Sequence, residues 1–174
     1  MDDQVLALKD EDRIQGPVSA ALLVIFYGSY PCPKSIAAHR TVKAIQSALG
    51  DQLCLVFRHF PTQQHPRAQI AAETAEAAGS QGKFWQMHDR LLAQSQKLDD
   101  ASLVELACDV GLNISQFLYE ITQHVHTERI QADKDSGLHC GVEQTPTFFI
   151  SIRNRDSENL ARIIEQILTV ALHA

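Results

Sequence analysis

The stretch SYPCPKSIAAH, residues 29–39, sets Cys32 between two prolines and three residues ahead of Ser35. An apolar run precedes it and helical spacing follows, so Cys32 falls in a strand-to-helix turn. Unpaired backbone N–H groups and the helix dipole at that point stabilise a thiolate. Lys34 adds a nearby cation. The consequence is large: a thiol of pKa ~8.5 is about 3% ionised at pH 7, whereas one lowered to ~6 is about 90% ionised. Ser35 stands where a C-x-x-C dithiol would carry its second cysteine. A hydroxyl can hydrogen-bond the Cys32 thiolate and keep its pKa low, but it cannot attack a disulfide. A mixed disulfide on Cys32 therefore persists until an outside thiol attacks it. Such a site suits glutathione exchange, disulfide shuffling or thiol sensing, not net dithiol oxidation by this chain alone.

A second signal is TPT, residues 145–147, directly before FFI. Pro146 there reads either as a strand-entry proline or as a cis proline exposing backbone groups to an extended substrate. The other cysteines are Cys54, Cys108 and Cys140; no pair of the four has C-x-x-C or metal-finger spacing. Cys54 and Cys108 read as core and Cys140 as a helix-end residue. The eight histidines lack metal-ligand spacing, so scattered surface histidines and no metal are expected. His39, about two turns along the helix, is too far from Cys32 to act as its base.

The elements that must position these residues follow from hydrophobic spacing. ALLVIFYG (21–28) predicts a buried strand, and Ile36, Ala37, Val42, Ile45 and Leu49 predict a helix ending at Gly50. QLCLVFRHFP (52–61) predicts a second strand that Pro61 closes. Pro66 and Gly79 bracket a helix with Ala68, Ala71, Ala72, Ala75 and Ala78 on a small-residue face. Further helices are marked by Phe84, Met87, His88 and Leu91, then by Leu103, Leu106, Ala107 and Val110 up to Gly111. Asn113 and Gln116 have capping-box spacing, and helical pattern continues to about Leu138. TPTFFISI (145–152) predicts the next strand; Leu160, Ile163, Ile164, Ile167 and Leu168 predict a last helix. Strands separated by helices call for an α/β fold with a parallel-type sheet covered on both sides.

With 174 residues, 45% hydrophobic and 21% charged, the composition is that of one globular domain, 1–174. The net charge of -6 and the lack of a basic cluster argue against nucleic acid. The amino terminus MDDQVLALKDEDRIQGP has no basic start and no apolar core of signal-peptide length, and the longest apolar run, ALLVIFYG, is far short of a membrane span. The expectation is a cytoplasmic chain with mostly free thiols and no membrane partner.

Together the Cys32 turn and the TPT segment resemble the DsbA-like branch of the thioredoxin superfamily. The resemblance covers nearly the whole chain, through DRIQGP, VIFYGSYPCPKS, VFRHFP, HPRAQIAAETAEAAGSQGKFWQMHDRLL and GVEQTPTFFI in order. Such domains occur as free proteins and appended to some sodium/proton antiporters. The resemblance implies a thioredoxin-like fold with a helical insertion, approximately 63–138, between the second and third strands. It makes Cys32 the nucleophile and Pro146 the facing cis proline, with Pro33, Lys34 and Thr145 binding substrate. The family's resolving cysteine falls at Ser35, the main departure. SIRNRDSENL is also several residues shorter than the family's usual hairpin, so its fourth, edge strand is expected to be cut down. An edge opened in that way offers pairing to a second copy, and a homodimer is compatible with it.

The implied function is a monothiol thiol–disulfide oxidoreductase acting through Cys32, with no bound cofactor and with glutathione or another external thiol as co-substrate. Its partners would be thiol- or disulfide-bearing proteins, peptides or glutathione. Two other readings stand beside it. One is a non-catalytic thioredoxin-fold binding module; the other is a glutathione-dependent transferase or isomerase using Ser35.

Overall fold

The computed structural model describes residues 7–94, 98–153 and 161–167. Two strands, β2 (Leu22–Gly28) and β3 (Leu53–His59), form the centre of a four-stranded sheet and are buried along their whole length. They run parallel, with Tyr27 opposite Arg58 and Gly28 opposite His59. Helix α1 (Pro33–Leu49) makes the crossover between them. Near-continuous apolar strands of this kind occur where both sheet faces are covered.

Side chains alternate between the faces with a period of two. Leu22, Val24, Phe26, Leu53, Leu55 and Phe57 join one core with α1 and the helices that follow. Leu23, Ile25, Tyr27, Cys54 and Val56 form a second, smaller core with Phe60 and Val142.

The sheet is mixed rather than parallel-type. β1 (Arg13–Gln15) pairs antiparallel with β3, and β4 (Thr147–Ile152) pairs antiparallel with β2, giving the order β1-β3-β2-β4. Only a strand returned by a single crossover helix must run parallel. β4 follows a long helical excursion and is free to enter in the opposite sense. β1 is three residues long and polar at both ends, so hydrophobic alternation could not reveal it. Trp85 Nε1 ties it down by donating to the Ile14 carbonyl at 3.1 Å.

Between β3 and β4 lie α2 (Ala68–Ser80), α3 (Phe84–Ala93), α4 (Asp100–Val110), α5 (Ile114–Thr122) and α6 (Thr127–His139). The alanine face of α2 is buried as expected. Pro66 precedes the helix instead of opening it, and Gly79 lies inside its last turn. A Cβ at Gly79 would sit 2.7 Å from the Arg13 guanidinium, so a larger residue there would require that side chain to shift. Gly111 caps α4 in the left-handed conformation. Asn113 accepts the Gln116 amide at 3.0 Å, but the Gln116 side chain turns to Glu120, leaving half a capping box.

Helical structure does not run unbroken to Leu138. It stops after Thr122, and His124 takes φ 52 before α6 begins. The His124 ring is held 2.9 Å from the buried Glu73 carboxylate and His126 is held 2.8 Å from Glu120. Polar contacts with α2 and α5 thus secure a break that periodicity could not show.

Residues 161–167 are helical, with Ile163 buried and Ile167 half-buried, whereas Ile164 is exposed. Leu160, Leu168 and the shortened hairpin at 154–160 lie outside the described residues. Among the described helices none is long and apolar enough to cross a membrane.

Candidate active site

Cys32 is the N-cap of α1, in extended conformation, and the Ile36 amide donates to its carbonyl at 3.1 Å. Pro33 at the first helical position has no N–H to leave unpaired. The first turn carries no acidic residue that would oppose a thiolate. The turn ahead of it is closed by the Cys32 amide, which donates to the Ser29 carbonyl at 3.1 Å. Ser35 is fully buried behind Cys32, its Oγ accepting the Ser29 amide at 3.3 Å.

Cys32 Sγ lies 3.4 Å from the carbonyl oxygen of Thr145, to which the thiol donates. The Thr145–Pro146 peptide bond that follows is cis. Burial of Cys32 raises its pKa, and the Thr145 carbonyl also favours the protonated form. Hydrogen bonding to the Thr145 and Ser35 hydroxyls and to the Lys34 and Ser35 amides favours the anion, and the net result is a lowered pKa. The donors win because several of them converge on one sulfur atom.

Cys32, Pro33, Lys34 and Thr145 line one groove of about 610 Å³. Pro33 and Lys34 form its exposed rim, while Ser35 does not reach it and Pro146 is half-buried at the entry to β4. The opposite wall comprises the loop 60–65, together with Lys134 and Leu138 of α6. Sequence reading used Pro61 only as a strand end and missed this wall. Its one sequence signal is a polar loop with two adjacent glutamines between a strand and a helix. Lys34, Lys134 and His65 offer positive or hydrogen-bonding groups and Glu143 a negative one.

A buried polar network fixes that wall. The His59 amide donates to Asp133 Oδ2 at 3.0 Å, which binds α6 to the end of β3. Arg129 pairs with Asp133 within α6. The His59 ring meets Glu76 Oε1 at 2.8 Å, and Arg13 pairs with the same carboxylate. Burial raises the Glu76 pKa, but the hydrogen bonds and charges of His59 and Arg13 hold it well below the ordinary 4.5. Arg58, fully buried, donates to both carboxylate oxygens of Asp12 at 2.8 Å and to Tyr27 at 3.0 Å.

These pairings correct the expectation of surface histidines: His39, His59 and His88 are buried. Hydrogen-bond partners and aromatic neighbours make an interior imidazole tolerable, and neither is visible in linear spacing. Cys108 also departs from expectation, being exposed. The buried stripe of α4 runs through Leu103, Leu106 and Ala107, and the next residue turns away from it. Cys54 is fully buried in the core. Cys140, at the C-cap of α6, does not line the Cys32 groove.

Comparison with known proteins agrees with the fold. Over 145 residues, 83% of this chain, it is 39% identical to the Na(+)/H(+) antiporter NhaA 1 of Salinispora arenicola. The chain spans only about a quarter of the length of the curated relatives it matches, between 22% and 27%. Its fold is similar to that of Wolbachia pipientis alpha-DsbA1, with a TM-score of 0.79, 19% identity and 98% of each chain covered. It is also similar to a thioredoxin-like oxidoreductase from Silicibacter pomeroyi, with a TM-score of 0.77, 21% identity, and 97% of this chain and 99% of that one covered. The family model described as Thioredoxin matches residues 8–167, and the chain therefore belongs to the thioredoxin family.

Proposed function

We propose that this chain is a monothiol thiol–disulfide oxidoreductase in which Cys32 exchanges disulfides with thiol-bearing proteins, peptides or glutathione. The observation that carries the reading is the lowered pKa of Cys32 at a helix N-terminus, on the floor of an open groove. The Cys32 thiolate attacks one sulfur of a substrate disulfide, forming a mixed disulfide and expelling the other sulfur as a thiolate. Ser35 supplies no second thiol, so an external thiolate attacks the mixed disulfide. That attack restores the Cys32 thiolate and carries the substrate away as a new disulfide. Glutathione fits the role of external thiol, because its carboxylates and ammonium suit the Lys34, Lys134 and Glu143 groups of the groove. The four free cysteines are compatible with a reducing, cytoplasmic setting in which such thiols are abundant.

Ser35 supports this reading over a serine-dependent glutathione transferase. Its Oγ is buried and engaged with the Ser29 amide, behind the sulfur and away from the groove. A binding module without turnover has one observation in its favour: Phe60, Pro61 and Leu138 give the groove apolar surface suited to an extended peptide.

The test is intact mass after exposure to oxidised glutathione, with Cys32→Ser as control and alkylation rates followed from pH 4 to pH 9. A single adduct on Cys32, released by reduced glutathione, supports the exchange reading. A Cys32 that titrates as an ordinary thiol and takes no adduct would sink it and leave the binding module.

A further inference from the structure

Away from the Cys32 groove, three metal-ligating side chains meet between α1 and α3. His39 belongs to α1, while His88 and Asp89 are consecutive in α3. One ligand atom from each lies within 4.8 Å of the other two. His39 Nε2 stands 3.3 Å from Asp89 Oδ1. Two donors on a tetrahedral zinc ion have nearly that spacing, since bonds of about 2.0–2.1 Å at ~109° place them about 3.3 Å apart.

The hydrogen bonding around the cluster is incomplete in the same place. The Tyr30 hydroxyl lies 3.1 Å from His88 Nδ1, and Nε2 of this fully buried ring has no partner. Asp89 Oδ1 has His39 Nε2 beside it at 3.3 Å, and its other oxygen is 3.1 Å from Lys43 Nζ. Buried polar atoms are rarely left unpaired, and here one orphan belongs to His88, a potential ligand at the centre of the cluster. The Asp89 side chain is 41% exposed, which gives an ion a route in from solvent.

We propose that His39, His88 and Asp89 bind a divalent transition-metal ion of the zinc class, with water completing its coordination. Two imidazoles and one carboxylate favour such an ion over calcium or magnesium, which take oxygen ligands. Tyr30 then serves as the outer-sphere partner that orients His88. Because Tyr30 lies two residues before Cys32, it connects the site to the turn carrying the thiol. The ligands are divided between positions 39 and 88–89, so no local spacing in the sequence announces them.

Thiolates also bind zinc, so the test uses the full chain with Cys32, Cys108 and Cys140 each replaced by Ser. Zinc alone is added by equilibrium dialysis and cobalt alone is followed by visible absorption. The expected result is one equivalent of zinc, with cobalt giving d–d bands but no thiolate charge-transfer band. Asp89→Asn and His39→Ala should each weaken zinc binding at least ~10-fold. Lys43→Gln should strengthen it several-fold by removing a cation that competes for Asp89. If His39→Ala does not fold, Asp89→Asn and Lys43→Gln decide. Failure to take up one equivalent, or affinities unmoved by Asp89→Asn and Lys43→Gln, would overturn the proposal.

Discussion

Cys32 Sγ and the carbonyl oxygen of Thr145 lie 3.4 Å apart, although 113 positions separate the two residues in the chain. The contact joins the head of α1 to the entry of β4. The thiol loses this acceptor on ionising, so the thiolate depends on donors around it. Those donors are the Thr145 and Ser35 hydroxyls and the amides of Lys34 and Ser35.

Ser35→Ala removes one of them. The alkylation midpoint of Cys32 should move upward, and the rate near pH 6 should fall roughly 3- to 10-fold, the worth of one hydrogen bond of ~0.5–1.5 kcal/mol. Mass spectrometry after brief iodoacetamide treatment reads this. In the same experiment exposed Cys108 provides an accessible reference, while Cys54, whose pKa burial raises, should resist labelling until the protein unfolds. An unchanged Cys32 rate would remove Ser35 from the account of the thiolate.

Ser35→Cys should convert the chemistry from one thiol to two. The mixed disulfide with glutathione should no longer accumulate, because the new thiol displaces glutathione and closes an intramolecular disulfide with Cys32. Intact mass after treatment with oxidised glutathione separates the two products. Persistent glutathionylation of the variant would show that the buried position is too constrained to deliver a nucleophile.

Glu76→Gln should destabilise the fold by about 3 kcal/mol, because it leaves His59 and Arg13 facing an uncharged partner in the interior. The folded pKa of Glu76 lies below its ordinary 4.5. Its stabilising contribution is therefore present above that value and is lost as pH falls through the folded pKa. Urea midpoints measured from pH 6 down to pH 2 should fall more steeply for the parent than for Glu76→Gln. Parallel slopes would contradict the assignment.

Gly137→Ala should cost about 1–2 kcal/mol despite the better helix propensity of alanine. Its Cβ would come within 2.9 Å of the Phe60 ring and 3.0 Å of Tyr27, both of which are buried. Phe60 lines the Cys32 groove, so the Cys32 alkylation rate should change together with the thermal midpoint. A variant as stable as the parent would mean that α6 can retreat without disturbing the groove wall.

The Cys32 turn, β2, α1 and β3 were legible in sequence because their signals are local. Short apolar runs bounded by Gly28 and Pro61 read as strands buried on both faces, and the proline after Cys32 marks a helix start. The alanine face of α2 was legible for the same reason. The direction of β4, the presence of β1 and the break at His124 were not, since each is settled by partners distant in the chain.

The sequence by itself determined the chemistry available: one thiol at a helix N-terminus with a hydroxyl where a second thiol would stand. Tertiary structure alone decided what surrounds that thiol. It brought Thr145 to the sulfur, set loop 60–65 and α6 opposite, and buried Glu76, His59, His88 and Arg58. The physical reason is that propensity and periodicity act over a few residues. Buried polar pairing is instead chosen by whichever partners the packed elements bring within hydrogen-bonding distance.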